Sequence, residues 1–146
     1  MLNIIKRGLS VVVASALAGP LALAAPPRQA AVSAAKPADR IVTELMTKDL
    51  PDIADKDVLM ITVDYPPGAA DPVHRHDADS FIYVLEGSIV MQLRGQKEVT
   101  LTPGQTFYEG AKDVHTVGRN ASKTEPAKFL VLLLKKKGTP AVLPAE

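Results

Sequence analysis

From residue 41 onward the apolar residues fall into short runs separated by turn-forming residues. Residues 41–46 (IVTELM) and 58–65 (VLMITVDY) have the β-branched and apolar content of strands. Pro66-Pro67-Gly68 ends the second run, because neither proline can donate to a ladder. Residues 81–85 (FIYVL) and 88–93 (SIVMQL) predict two more strands around a turn at Glu86-Gly87. Short strands are predicted at 99–101 and 114–117, with turns at 94–97 and at Pro103-Gly104. Residues 129–134 (FLVLLL) are apolar throughout and predict a fully buried strand. The acidic stretch 49–57, which holds Leu50-Pro51, predicts a loop. No segment after Arg40 sustains a helical period, and no internal repeat is present. Such runs, punctuated by Gly, Pro, Asn and Asp, predict an all-β sandwich or barrel.

The start of the chain reads differently. Lys6 and Arg7 precede an apolar stretch over 9–23, broken at Gly19-Pro20 and followed by Ala22-Leu23-Ala24. A basic region, an apolar region and an A-x-A site are the three parts of a secretory signal peptide. The expected organisation is a signal peptide over 1–24 cleaved after Ala24, an Ala/Pro-rich leader over 25–40, a barrel over 41–138 and a C-terminal tail over 139–146. A periplasmic or secreted location follows. The apolar stretch falls short of the ~20 residues of a membrane span, so no stable anchor is expected after cleavage.

Composition narrows the chemistry. At 146 residues one domain is expected, and 47% hydrophobic with 23% charged residues is a globular balance. The net charge of +1 falls to −1 once Lys6 and Arg7 are removed. The basic run Lys135-Lys136-Lys137 reads as the solvated end of the last strand, so nucleic acid is not an expected partner. There is no cysteine, which excludes disulfides, thiolate metal sites and a cysteine nucleophile. Any transition metal must be held by nitrogen and oxygen.

The chain has three histidines. His74 and His76 are two apart, which on a strand places both imidazoles on one face. His115 lies on another predicted strand and could supply a third nitrogen from across a barrel. The surrounding residues fall into two patterns. Gly68, five residues, His74-Arg75-His76, three residues, Ser80, six residues and Gly87 form the first. Gly104, His115 and Asn120 form the second, with Gly110 and Lys112 between them.

These patterns resemble the two motifs of the cupin superfamily, over residues 58–134. The first family motif has glutamate where this chain has Ser80. The second has proline and glycine where Gly110 and Lys112 stand, and its asparagine falls one place before Asn120. The resemblance implies a double-stranded β-helix, or jelly-roll barrel. It also implies a divalent metal, one of Fe, Mn, Ni, Cu or Zn, held by His74, His76 and His115. Strand parity places Ser80 inward with His76 and beside an open coordination position. Tyr108 is a second candidate for the pocket lining, either as a proton donor or as a cap on the core. Asp77, Asp79, Glu86 and Glu109 read as solvated charges; the alternatives are a bulge that turns Asp79 inward and a Glu109 that reaches the barrel mouth. No catalytic residue is singled out.

Three-histidine iron sites in this superfamily occur in dioxygenases, so the implied function is a metalloenzyme on a small-molecule ligand, with oxygenase chemistry as one form. A non-catalytic metal- or ligand-binding module is an alternative, as is a structural or sensory cupin acting through dimer contacts. A homodimer is expected, with 41–46 as a candidate edge for strand exchange.

Overall fold

The fold is that of a computed structural model in which Lys36 and residues 38–145 are described. The expected signal peptide and most of the leader lie outside the described residues. Ten strands follow in chain order: β1 (Ile41–Asp49), β2 (Lys56–Tyr65), β3 (His74–Arg75), β4 (Ala78–Glu86), β5 (Ile89–Leu93), β6 (Val99–Leu101), β7 (Thr106–Glu109), β8 (Val114–Asn120), β9 (Ala127–Lys136) and β10 (Leu143–Pro144). They form two five-stranded sheets, β1-β2-β9-β4-β7 and β10-β3-β8-β5-β6, in which neighbouring strands pair antiparallel and the register shifts once each in the β1–β2, β4–β9 and β5–β8 pairs. Among the described residues there is no helix.

Alternation along each strand builds the core. In β2 the inward residues Leu59, Val63 and Tyr65 are buried, and in β4 Ile82 and Val84 are. They meet Ile89 and Met91 of β5 and Phe129, Val131 and Leu133 of β9. The Tyr65 and Phe129 rings pack edge to face at 5.0 Å.

The run 129–134 departs from its expected full burial. Phe129, Val131 and Leu133 are buried, whereas Leu130, Leu132 and Leu134 on the other face are only half-buried. β9 is the central strand of its sheet, so its outward leucines are shielded at the sides by β2 and β4 and left open above. A row of paired residues crosses that face, from Met46 through Met60, Leu132 and Phe81 to Tyr108.

Two further differences position the site. Residues 106–109 form β7, which pairs with β4. Residues 139–146, expected as a tail, contain β10, which pairs with β3 and brings Ala141 and Val142 to the wall of the cavity. The turn between β4 and β5 requires Gly87. Its φ is +66°, and a Cβ there would stand 2.4 Å from the Pro126 carbonyl oxygen.

Candidate metal centre

The pairing of β3 with β8 sets His74 directly opposite His115. Paired residues project to the same face of a sheet, and both side chains are buried in the barrel. His76 lies just past β3, with 11% of its side chain exposed. The His74 ring centroid is 4.9 Å from those of both His76 and His115. The ligand-capable nitrogens of the three lie within 4.8 Å of one another, as the spacing in the sequence leads one to expect.

Hydrogen bonds fix the tautomers of two of these rings. His74 Nδ1 lies 2.8 Å from the Pro72 carbonyl oxygen, and His76 Nδ1 contacts the Ala141 carbonyl oxygen. A carbonyl can only accept, so both Nδ1 atoms carry hydrogen. In a neutral ring the Nε2 atom then carries a lone pair. His74 Nε2 and His76 Nε2 face each other at 3.2 Å. His115 Nε2 is buried with no hydrogen-bond partner among the described residues. Lone pairs converging in a buried space call for a cation between them, and imidazole nitrogens suit a divalent transition metal. The three residues therefore fit the ion that the donor set calls for.

Gly118 clears the space for His115. A Cβ at Gly118 would stand 2.8 Å from His115 Cε1 and 3.2 Å from the Tyr65 hydroxyl oxygen.

Glu109 is the residue that sequence reasoning misplaced. It is buried, not solvated: Oε2 is 3.2 Å from His76 Nε2, and Oε1 is 3.3 Å from His115 Nδ1. The reason is parity in β7, a strand too short to stand out from its sequence. Glu109 points inward, and Tyr108 therefore points out. Tyr108 is 50% exposed, donates to Asp79 at 2.6 Å and packs on Phe81, so it is neither a pocket residue nor a cap on the core. Asp79 faces outward with it, without a bulge to turn it in. Ser80 does face inward and is fully buried, but its hydroxyl has no hydrogen-bond partner among the described residues and it does not line the cavity.

The cluster opens on a cavity of about 90 Å³. A water needs about 10–15 Å³ of such space, so the cavity suits a molecule of several heavy atoms. Its apolar wall includes Val63, Ile82, Met91, Phe129 and Val131. Its polar groups outside the cluster are Tyr65, Asp71 and Arg40. Tyr65 donates to Asp71 at 2.6 Å, and Arg40 donates to the other oxygen of Asp71 at 2.8 Å.

The electrostatics follow from burial and neighbours. Burial lowers the His74 pKa below its ordinary value, outweighing the Pro72 carbonyl. Burial acts in the same sense on His76, but the Glu109 carboxylate and the Ala141 carbonyl together outweigh it and raise that pKa. Glu109 is pushed up by burial and pulled further down by the imidazoles, His76 first, so its carboxyl titrates below the usual range. Tyr65 is raised far above its ordinary value, by burial first and then by Asp71, so it remains a neutral hydroxyl.

Fold and site together define a double-stranded β-helix barrel with a buried three-histidine cluster beside a small cavity. The family profile of the cupin domain matches residues 61–133. This chain belongs to the cupin family. Among solved structures it is similar to the DMSP lyase DddQ from Ruegeria pomeroyi DSS-3, at 26% identity and a TM-score of 0.53. That match covers 62% of this chain and 44% of the lyase, so the chain spans less than half the length of that relative. It is also similar to the polyketide cyclase RemF from Streptomyces resistomycificus, at 25% identity and a TM-score of 0.57, covering 73% of this chain and 71% of the cyclase. A cupin superfamily protein from Desulfitobacterium hafniense DCB-2 shares the fold at 17% identity and a TM-score of 0.55, covering 70% of this chain and 83% of that one. No curated protein matches the sequence.

Proposed function

We propose that the protein is a metal-dependent enzyme acting on a small organic molecule, with His74, His76 and His115 as the metal ligands. One observation carries this reading: the ligand-capable nitrogens of His74, His76 and His115 converge within 4.8 Å of one another inside the barrel, with the Nε2 atoms of His74 and His76 3.2 Å apart. A bound Fe, Mn, Ni, Cu or Zn ion would supply Lewis-acid polarisation of a substrate oxygen. The chain's own residues do the rest. The apolar wall excludes water from the bound molecule. Asp71 accepts a hydrogen bond from the Tyr65 hydroxyl and holds that hydroxyl in place, so the hydroxyl stays neutral and presents its oxygen to the bound molecule as an acceptor. Arg40 contributes positive charge at the same cavity.

The similarity to a lyase and a cyclase supports bond breaking or ring closure without oxygen uptake, ahead of dioxygenation. The test is elemental analysis of the purified protein, followed by turnover of small carboxylic acids and ketones on adding metal back to the stripped protein. Turnover that depends on metal and leaves dissolved oxygen unchanged supports the proposal. Oxygen uptake in step with product would replace it with the oxygenase reading, and metal binding without any turnover would leave a binding module.

We also propose a second copy of the chain as partner. The outward row from Met46 to Tyr108 supports this, since four strands about 30 Å long and the shorter β7 of about 13 Å, spaced about 4.8 Å apart, give a face of roughly 650 Å². That approaches the ~800 Å² each partner buries in a standard interface. Export with cleavage after Ala24 is likewise proposed. N-terminal sequencing of the exported protein should begin at Ala25, and a retained Met1 would contradict it.

A further inference from the structure

We infer that Glu109 is the carboxylate donor of the metal site, moved one strand across from the position that Ser80 occupies. The inference rests on the metal reading above and adds a ligand to it. Ser80 of β4 and Glu109 of β7 are directly paired across the sheet. Side chains at such a pair leave the same face with Cβ atoms about 4.5–5.5 Å apart. A carboxylate reaching inward from either position therefore enters the same part of the barrel.

Three features support this role. Glu109 is 3% exposed, and its ion-pair partners among the described residues are His76 and His115. Its Oε2 atom and the Nε2 atoms of His74 and His76 form a chain of 3.2 Å contacts through His76. With neutral imidazoles that is a cluster of lone pairs around a buried negative charge, which burial disfavours unless a cation is present. A divalent ion removes both problems at once.

The second feature is the residue opposite. Ser80 is fully buried, yet its hydroxyl has no hydrogen-bond partner among the described residues. Its small side chain leaves the paired position free for the longer glutamate. Carboxylates at both places would repel each other in a buried space, so each excludes the other. The third feature is charge. With Glu109 as donor, a divalent ion leaves the centre at +1 instead of +2.

The test uses Co(II) alone, titrated into the metal-stripped full chain, with affinity read by chelator competition and the donor set by the visible d–d spectrum. The wild type should bind one Co(II). Glu109→Gln, nearly isosteric and uncharged, should bind at least about 100-fold more weakly with an altered spectrum, at or beyond the upper end of losses seen for outer partners. Ser80→Glu combined with Glu109→Gln, which returns the carboxylate to the facing strand, should recover affinity to within about tenfold of wild type. Glu109→Gln binding as tightly as wild type would overturn the inference, and so would a folded double variant that binds no better than Glu109→Gln. If the double variant does not fold, Glu109→Asp decides: it keeps the charge and should bind more tightly than Glu109→Gln, and equal affinities would overturn the inference. A wild type that takes up no Co(II) would instead bring down the metal reading itself, and this inference with it.

Discussion

Lowering the pH should weaken metal binding, because a proton held by His76 competes with the ion. In the metal-free protein, the Glu109 carboxylate and the Ala141 carbonyl raise the His76 pKa above its ordinary 6.5. Burial lowers the His74 pKa and so favours its neutral ring, and the imidazoles favour an ionised Glu109. Within this group the proton that competes with metal is therefore on His76. Metal must displace it, so below the His76 pKa the affinity should fall about tenfold per pH unit, or about 1.4 kcal/mol. Above that pKa the affinity should level off. The sign follows from the raised value: the imidazolium is favoured at low pH, and metal requires the neutral ring. Calorimetric titration of Co(II) in buffers of different ionisation enthalpy measures the protons released, and repeating it from about pH 5.5 to about pH 8 gives the slope in the range where histidine titrates. Release of at least about one proton per ion on the acid side, the one from His76, is the expected result. Affinity that stays flat across the range, with no proton released, would refute the tautomer and charge assignments.

Gly118→Ala should keep the fold and lose metal, because the new methyl would stand 2.8 Å from His115 Cε1 and push the ring aside. Overpacking of this kind costs about 1–3 kcal/mol, read as a lower melting temperature together with weaker Co(II) binding, and unchanged binding would argue against His115 as a ligand. Asn120→Ala should destabilise the barrel by about 2–4 kcal/mol. The Asn120 amide donates to the carbonyls of Tyr65, Pro66 and Glu125, and its oxygen accepts from the Ser122 amide, so denaturant melts should show the loss. Phe81→Asp places a charge in the outward apolar row and should give monomers in sedimentation equilibrium, where the proposal expects dimers of the wild type. A wild type that is monomeric throughout would remove the dimer.

Much of the barrel was legible in the sequence because most of its strands are either alternating or apolar runs ended by Gly or Pro. The histidine cluster was legible too. The i, i+2 spacing of His74 and His76 needs only strand parity, and His115 falls in a predicted strand that the fold pairs with β3. What escaped lies in elements too short to carry a periodic signal. β7 has four residues, so the sequence could not say whether Tyr108 or Glu109 faces inward. β10 has two, one of them proline, and its place is set by pairing with β3 rather than by its own propensity. The Ser80 departure was visible, but its consequence was not. Only the register of β4 against β7 shows that a carboxylate arrives from the facing position. The leucines of β9 show the reverse limit: an unbroken apolar run does not reveal which of its two faces is covered.

The central claim is that His74, His76 and His115 hold one metal ion. Anomalous diffraction from a crystal of the full chain grown with Co(II) tests it most directly. The expected result is one strong peak about 2.0–2.2 Å from a ring nitrogen of each histidine, the usual nitrogen–metal distance. A crystal with no peak among the three rings, or with the ion bound elsewhere in the barrel, would contradict it.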